Sequence, residues 1–190
     1  MVRFHPKRLI FPSIFISAII LLFASNSIAE SHLIKKNILN ESHLDFSSIN
    51  RENRNLSESY PESIQKWKNE IETSAIENNL DSNLIAAVML QESGGQPSVI
   101  SSSGAVGLMQ IMPKDGLASK FICGDTPCFK NRPTIQELLD PIFNINYGAR
   151  MLSSLQINLG SLREALKSYG PMDVGFYYAD IVLSIYSQNI

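Results

Sequence analysis

The chain is 190 residues long, with 44% hydrophobic and 18% charged residues and a formal net charge of −2 at pH 7. That length suits one domain of ordinary size with an extension, and the acidic balance argues against nucleic acid as a partner, since a polyanion is held by basic surface. Two cysteines and three histidines leave little room for thiol or zinc chemistry, because no histidine falls in the half of the chain that reads as folded.

Residues 1–29 read as a secretory signal peptide. Arg3, Lys7 and Arg8 precede an almost wholly apolar run from Leu9 to Ala24, and Ser27-Ile28-Ala29 offers small residues for cleavage before Glu30. An uncleaved membrane anchor is the alternative, but the run is short for a span and contains Pro12. Loss of this segment removes three cations and no acids, which takes the net charge from −2 to −5. Residues 30–60 are rich in Asn, Ser and Glu and read as a flexible extension. His32 and His43 lie there, as solvated side chains rather than metal ligands.

The folded domain is expected over 61–190. Pro61 to Asn78 places Ile64, Trp67, Ile71 and Ala75 at helical spacing. Trp67 is either a core aromatic or a platform on which a sugar stacks. A second helix is predicted over Asp81 to Glu92. Asp81 or Ser82 can cap its start, and Gly94-Gly95 ends it. A short extended piece is conceivable at Ser98 to Ser101, and a further helix is expected near Ala105. Asp115 to Arg132 reads as a loop in which Cys123 and Cys128, in an exported chain, form one disulfide. Thr134 and Glu137 form a capping box. Pro141 then opens a long helix to Leu159, with Ile145, Ala149, Leu152, Leu155 and Leu159 as its buried stripe and Gly160 as its stop. Ser161 and Glu164 form a second box, before a helix carrying Ala165, Leu166 and Tyr169. The last helix, Phe176 to Ser187, is expected to pack Tyr177, Ile181 and Ile185.

Glu92 is the candidate for chemistry. It falls in the last turn of its helix, where the negative end of the helix dipole disfavours a carboxylate. Apolar neighbours such as Met89, Leu108 and Met112 would desolvate it in the same direction. Both effects raise a carboxyl pKa, which suits a general acid near neutral pH. A solvated helix-end glutamate is the bland alternative. Gly104, Ala105 and Gly107 are small enough to let a ligand or another backbone come close. Ser101, Ser102, Ser103 and Gln110 supply neutral donors and acceptors suited to sugar hydroxyl and acetamido groups.

Glu92-Ser93, Ser101, Gly104-Ala105 and the run Gly107-Leu108-Met109-Gln110-Ile111-Met112-Pro113 together resemble the signature of the SLT-type lytic transglycosylases. That family belongs to glycoside hydrolase family 23 and has the goose-type lysozyme fold. The resemblance extends from about Tyr60 to the C-terminus. Asn144-Ile145-Asn146-Tyr147-Gly148-Ala149 is similar to a second family run, and Tyr169 matches a family tyrosine close to the catalytic acid. The asparagine that usually follows that tyrosine is replaced by Gly170, which puts cleft shape and substrate preference in question.

The resemblance implies a mostly α, lysozyme-like single domain with a catalytic Glu at a helix end. It implies that Glu92 acts as sole acid and base on peptidoglycan, closing a 1,6-anhydro ring on muramic acid. Ser101, Gln110, Met112, Tyr147 and Tyr169 are then the substrate-binding candidates, with no metal and no cofactor. The expected partners are peptidoglycan glycan strands and a secretion or conjugation complex, for an exported monomer in the periplasm or cell envelope. A hydrolytic lysozyme of the same fold would need a second acid, for which Asp115, Asp125, Asp140 and Asp173 are candidates. A non-catalytic glycan-binding assembly protein would have no need of a buried acid.

Overall fold

The computed structural model describes residues 55–172 and 174–190. The expected signal peptide, most of the polar extension, His32, His43 and Asp173 lie outside the described residues. The described residues belong to one compact unit, Asn50–Ile190, and they are mostly helical. In order come α1 (Glu62–Gln65), α2 (Lys68–Asn78), α3 (Ser82–Ser93), a 3₁₀ turn (Ala118–Lys120), β1 (Ile122–Cys123), β2 (Thr126–Pro127), α4 (Ile135–Leu138), α5 (Pro141–Leu159), α6 (Leu162–Tyr169) and α7 (Tyr177–Gln188). No described helix is long and apolar enough to cross a membrane.

The core is built around α3. Its residues from Ser82 to Met89 are all buried, as expected of a helix that is apolar nearly all round. Asp81 caps it by accepting from the Asn83 amide at 2.8 Å, and Gly94 ends it with φ +60°. It packs against α1, α2 and α7, while α5 packs against α2, α4 and α6.

Several elements depart from expectation. The single helix over Pro61 to Asn78 is two, broken at Lys66-Trp67, where Trp67 leaves helical geometry (φ −103°, ψ 12°). The break serves the turn after α3. The Trp67 indole N–H donates to the Gly95 carbonyl at 3.0 Å, and a Cβ on Gly95 would lie 2.1 Å from the Ser63 carbonyl oxygen. Residues 55–60 are not a loose end of the extension. Leu56 and Tyr60 are core residues, the Leu56 amide donates to Glu72 Oε1 at 2.9 Å, and the Tyr60 hydroxyl donates to the Asn83 carbonyl at 2.7 Å.

No helix forms near Ala105. Gly104, Gly107 and Gln110 all have positive φ (91°, 78° and 46°), which no right-handed helix contains. Val106 instead bridges Ile100 and Ile111 in antiparallel fashion, so the extended piece near Ser101 is a single bridge at Ile100. In α5 the stripe holds through Ile145, Ala149 and Leu152, but Leu155 is half-buried and Leu159 is 45% exposed, because the helix outruns the core. In α7 the buried face is Tyr178, Ala179 and Val182. Tyr177 is 70% exposed, and Ile181 and Ile185 are half-buried. Cys123 and Cys128 are joined, across the antiparallel hairpin of β1 and β2.

Candidate active site

Glu92 is the penultimate residue of α3, and its side chain is half-buried. The Tyr178 hydroxyl, on α7, donates to Glu92 Oε1 at 2.5 Å. Burial pushes the carboxyl up from 4.5 to about 7, against the hydrogen bond from Tyr178, which favours the ionised form. Near neutral pH the group therefore divides between acid and carboxylate. Burial, then the charge of Glu92, push the Tyr178 hydroxyl far above the usual phenol range. It stays protonated and can only donate to an ionised Glu92.

The next residue fixes the neighbouring loop. The Ser93 hydroxyl reaches the Leu108 carbonyl at 2.8 Å and the Met89 carbonyl at 3.2 Å, and it accepts from the Gly95 amide at 3.2 Å. On the loop's other side stands Asn144 of α5, fully buried. Its Oδ1 accepts from the Met109 amide at 2.8 Å, and its Nδ2 donates to the Val106 and Leu138 carbonyls, each at 2.9 Å. A Cβ on Gly107 would lie 2.3 Å from Asn144 Nδ2. The small residue there makes room for protein rather than for a ligand.

The sequence-derived candidates divide by what they touch. Tyr169 is buried, and the charge of Glu92 raises its pKa while that of Arg132 lowers it, both after the larger effect of burial. Its hydroxyl, however, donates to the Met109 carbonyl at 2.9 Å, not to Glu92. Tyr169 thus braces the loop, and Gly148 lies where Met109 and the Tyr169 hydroxyl crowd α5 (Cβ distances 2.6 and 3.0 Å). The Ser101 hydroxyl accepts from the Ala105 amide at 3.0 Å, which leaves its own proton for a ligand. Gln110 donates its amide to the Val99 and Gly107 carbonyls at 3.1 and 2.9 Å, which leaves its carbonyl. Met112 is half-buried beside them in sequence. Tyr147 stacks on Phe143 (5.9 Å between centroids) and takes the Arg150 guanidinium at 5.1 Å, both on its own helix.

Asp115 accepts from the Ile135 amide and Asp140 from the Phe143 amide, each at 2.9 Å, so both are helix-start caps. Asp125 sits in the exposed hairpin between the cysteines. Among the described residues no group of three or more His, Cys, Asp or Glu could hold a metal ion.

Residues 69–175 match the family model described as the transglycosylase SLT domain. The chain belongs to that family. The SLT match takes in Glu92, the loop it adjoins, Asn144 and Tyr169. It stops short of Tyr178, the residue bonded to Glu92.

Among curated relatives, 100 residues are 37% identical to the membrane-bound lytic murein transglycosylase E of Buchnera aphidicola, covering 53% of this chain and 44% of that protein. A stretch of 77 residues is 40% identical to the endo-type membrane-bound lytic murein transglycosylase A of Klebsiella pneumoniae, covering 40% of this chain and 36% of that one. The matches thus span less than half the length of these relatives. A solved structure of the lytic transglycosylase Slt of Pseudomonas aeruginosa is 25% identical, with a TM-score of 0.46, covering 62% of this chain and 23% of that chain.

Proposed function

We propose that this SLT-domain protein is a peptidoglycan lytic transglycosylase in which Glu92 is both acid and base. The supporting observation is the half-buried Glu92 carboxyl, pushed up to about 7 and hydrogen-bonded by the Tyr178 hydroxyl. Tyr178 occupies Oε1, so the working proton sits on Oε2. Glu92 gives that proton to the glycosidic oxygen between N-acetylmuramic acid and N-acetylglucosamine, and the bond to the muramic acid anomeric carbon breaks. The resulting carboxylate takes the proton of the muramic acid 6-hydroxyl as that oxygen bonds to the anomeric carbon. A 1,6-anhydro ring closes and Glu92 is again protonated. The usual pair of carboxylates is not needed, because the nucleophile is the substrate's own hydroxyl. Two of the candidate second acids, Asp115 and Asp140, already serve as helix caps.

In this proposal Ser101, Gln110 and Met112 line the sugar subsites, with Tyr169 behind them and Tyr147 at the margin. The protein acts as an exported monomer in the periplasm or cell envelope, needs no cofactor, and its partner is the glycan strand. Local wall opening for a secretion or conjugation apparatus is the cellular setting, by family analogy alone.

The test is mass spectrometry of peptidoglycan digested by the full chain, with Glu92→Gln as control. Anhydro-muramic ends that vanish in the mutant are expected. Reducing ends would instead indicate a hydrolytic lysozyme, and no products from folded protein would indicate a glycan-binding assembly role.

A further inference from the structure

Gly170, which ends α6, is not a glycine for the sake of its backbone. Its φ of −72° and ψ of −172° are extended geometry open to any residue. Its amide is already used, donating to the Leu166 carbonyl at 3.0 Å. What the position lacks is space. A Cβ there would lie 2.3, 2.4 and 2.9 Å from Cδ1, Cγ and Cε1 of Tyr178. Real Cβ atoms essentially never approach so closely, and the obstacle is a buried ring rather than a flexible tip.

The backbone that carries the ring is held in place. Phe176, just before α7, and Asp180, in its first turn, are tied back to α6. Arg163 pairs with both carboxylate oxygens of Asp180 (2.7 and 2.9 Å), and the Arg163 and Lys167 cations sit 3.9 and 4.5 Å from the Phe176 ring centroid. Phe176 and Asp180 bracket Tyr178, so a side chain at 170 must displace the ring rather than the helix.

We infer that Gly170 is a positioning residue for Glu92: its missing side chain is the seat of the Tyr178 ring, and that seat sets the hydrogen bond between Tyr178 and Glu92. The inference deepens the acid–base reading above and rests on it for its functional meaning. It also accounts for the departure noted in the sequence. Where the family usually has asparagine after its tyrosine, this chain has the one residue that leaves the ring in place. Among the described residues, the other ionisable groups facing this carboxyl are Tyr169 of α6 and, acting on Tyr169, Arg132 from the segment before α4. Neither is touched by the substitution below.

The test reads the carboxyl itself, by NMR titration of the Glu92 carboxyl carbon in the full chain. Gly170→Ala is expected to raise the midpoint by about one pH unit, the worth of a lost hydrogen bond to a charged group. Tyr178→Phe should raise it by the same amount, and the double mutant no further. A midpoint unchanged in Gly170→Ala, or a double mutant that sums the two shifts, overturns the inference. Should Gly170→Ala fail to fold, the same change is made in Tyr178→Ala, where the ring is gone. Recovery of folding there supports the seat, and equal damage in both backgrounds refutes it. No peptidoglycan is used, so failure of the lytic reading leaves this test intact.

Discussion

Asn144 and Met109 are 35 residues apart, and the Met109 amide donates to the buried Asn144 side chain at 2.8 Å. With its two donations to Val106 and Leu138, the asparagine replaces the secondary structure that the loop lacks. Its polar atoms are matched, as buried polar groups must be. Asn144→Leu keeps the branched shape, orphans the Met109 amide and takes a donor from the Val106 and Leu138 carbonyls, of which Val106 keeps the Ile111 amide at 3.1 Å. The expected cost is roughly 3–5 kcal/mol, seen as a fall in thermal midpoint of about 10 °C or more by circular dichroism. Turnover of peptidoglycan measured well below the new midpoint should fall too, because the loop beside Glu92 is released. A mutant as stable and as active as the parent would mean that the loop is held by Ser93 and Tyr169 alone.

Such a residue shows where sequence reading succeeds and where it stops. The ends of α3, α4 and α5 are legible because caps and glycines act locally. Asp81, Thr134, Pro141, Gly94 and Gly160 all do what their chemistry dictates, whereas Asp140, which caps α5, reads in the sequence only as a candidate acid. The loop after α3 reads as helix because its apolar residues are spaced helically, while its conformation is set by three positive φ angles and a distant asparagine. In α7 periodicity is ambiguous. Tyr177, Ile181 and Ile185 fit a helical stripe as well as Tyr178, Val182 and Ile185 do. Only the room beside Gly170 and the carboxyl of Glu92, 86 residues away, decide between them. The half-buried position of Glu92 at a helix end is legible from its place in the chain, and its bond to Tyr178 is not.

The raised pKa of Glu92 makes a prediction about stability. The folded state holds the proton up to about 7, whereas the unfolded chain releases it near 4.5. Between those values the native state binds more protons, so stability falls as pH rises. The stability that the protonated form enjoys is fully present below about 4.5 and lost by about 7, roughly 3 kcal/mol as an upper bound. Glu92→Gln cannot ionise and should be nearly neutral at pH 4.5 but stabilising at pH 8. Urea denaturation at the two pH values measures this. Equal effects of the mutation at both would mean that the carboxyl is solvated, and the acid–base proposal would lose its physical basis.

The same group gives activity an alkaline limit. A general acid works protonated, so the proposed lytic rate should decline as pH rises through about 7. Tyr178→Phe removes a hydrogen bond that favours the ionised form, which raises the Glu92 pKa and moves that decline to higher pH. The rate at the optimum should also drop, about tenfold, because the carboxyl loses the contact that orients it. Initial rates of peptidoglycan solubilisation across pH 5 to 9 provide the measurement. A decline moving to lower pH would show that the tyrosine acts on Glu92 by some route other than hydrogen bonding.

The disulfide lies in a different part of the stability of the molecule. Cys123 and Cys128 are five residues apart in sequence and staple two strands of two residues each, both exposed. A hairpin that short is not stable by itself. Besides the bond, it has the Cys128 amide donating to the Phe121 carbonyl at 2.8 Å and an edge-on contact of Phe121 with Phe129, 6.1 Å between centroids. Closing so small a loop restricts the unfolded chain by about 2 kcal/mol at most, and local melting of the hairpin returns part of that. Replacing both cysteines by serine should therefore lower the thermal midpoint only slightly, while amide hydrogen exchange quickens over residues 119–131. The chain leaving the hairpin leads to Arg132, whose charge is felt at Tyr169. A double serine mutant with intact turnover confines the hairpin to a structural role. Loss of turnover without loss of folding would place it, through Arg132, among the parts that shape the cleft.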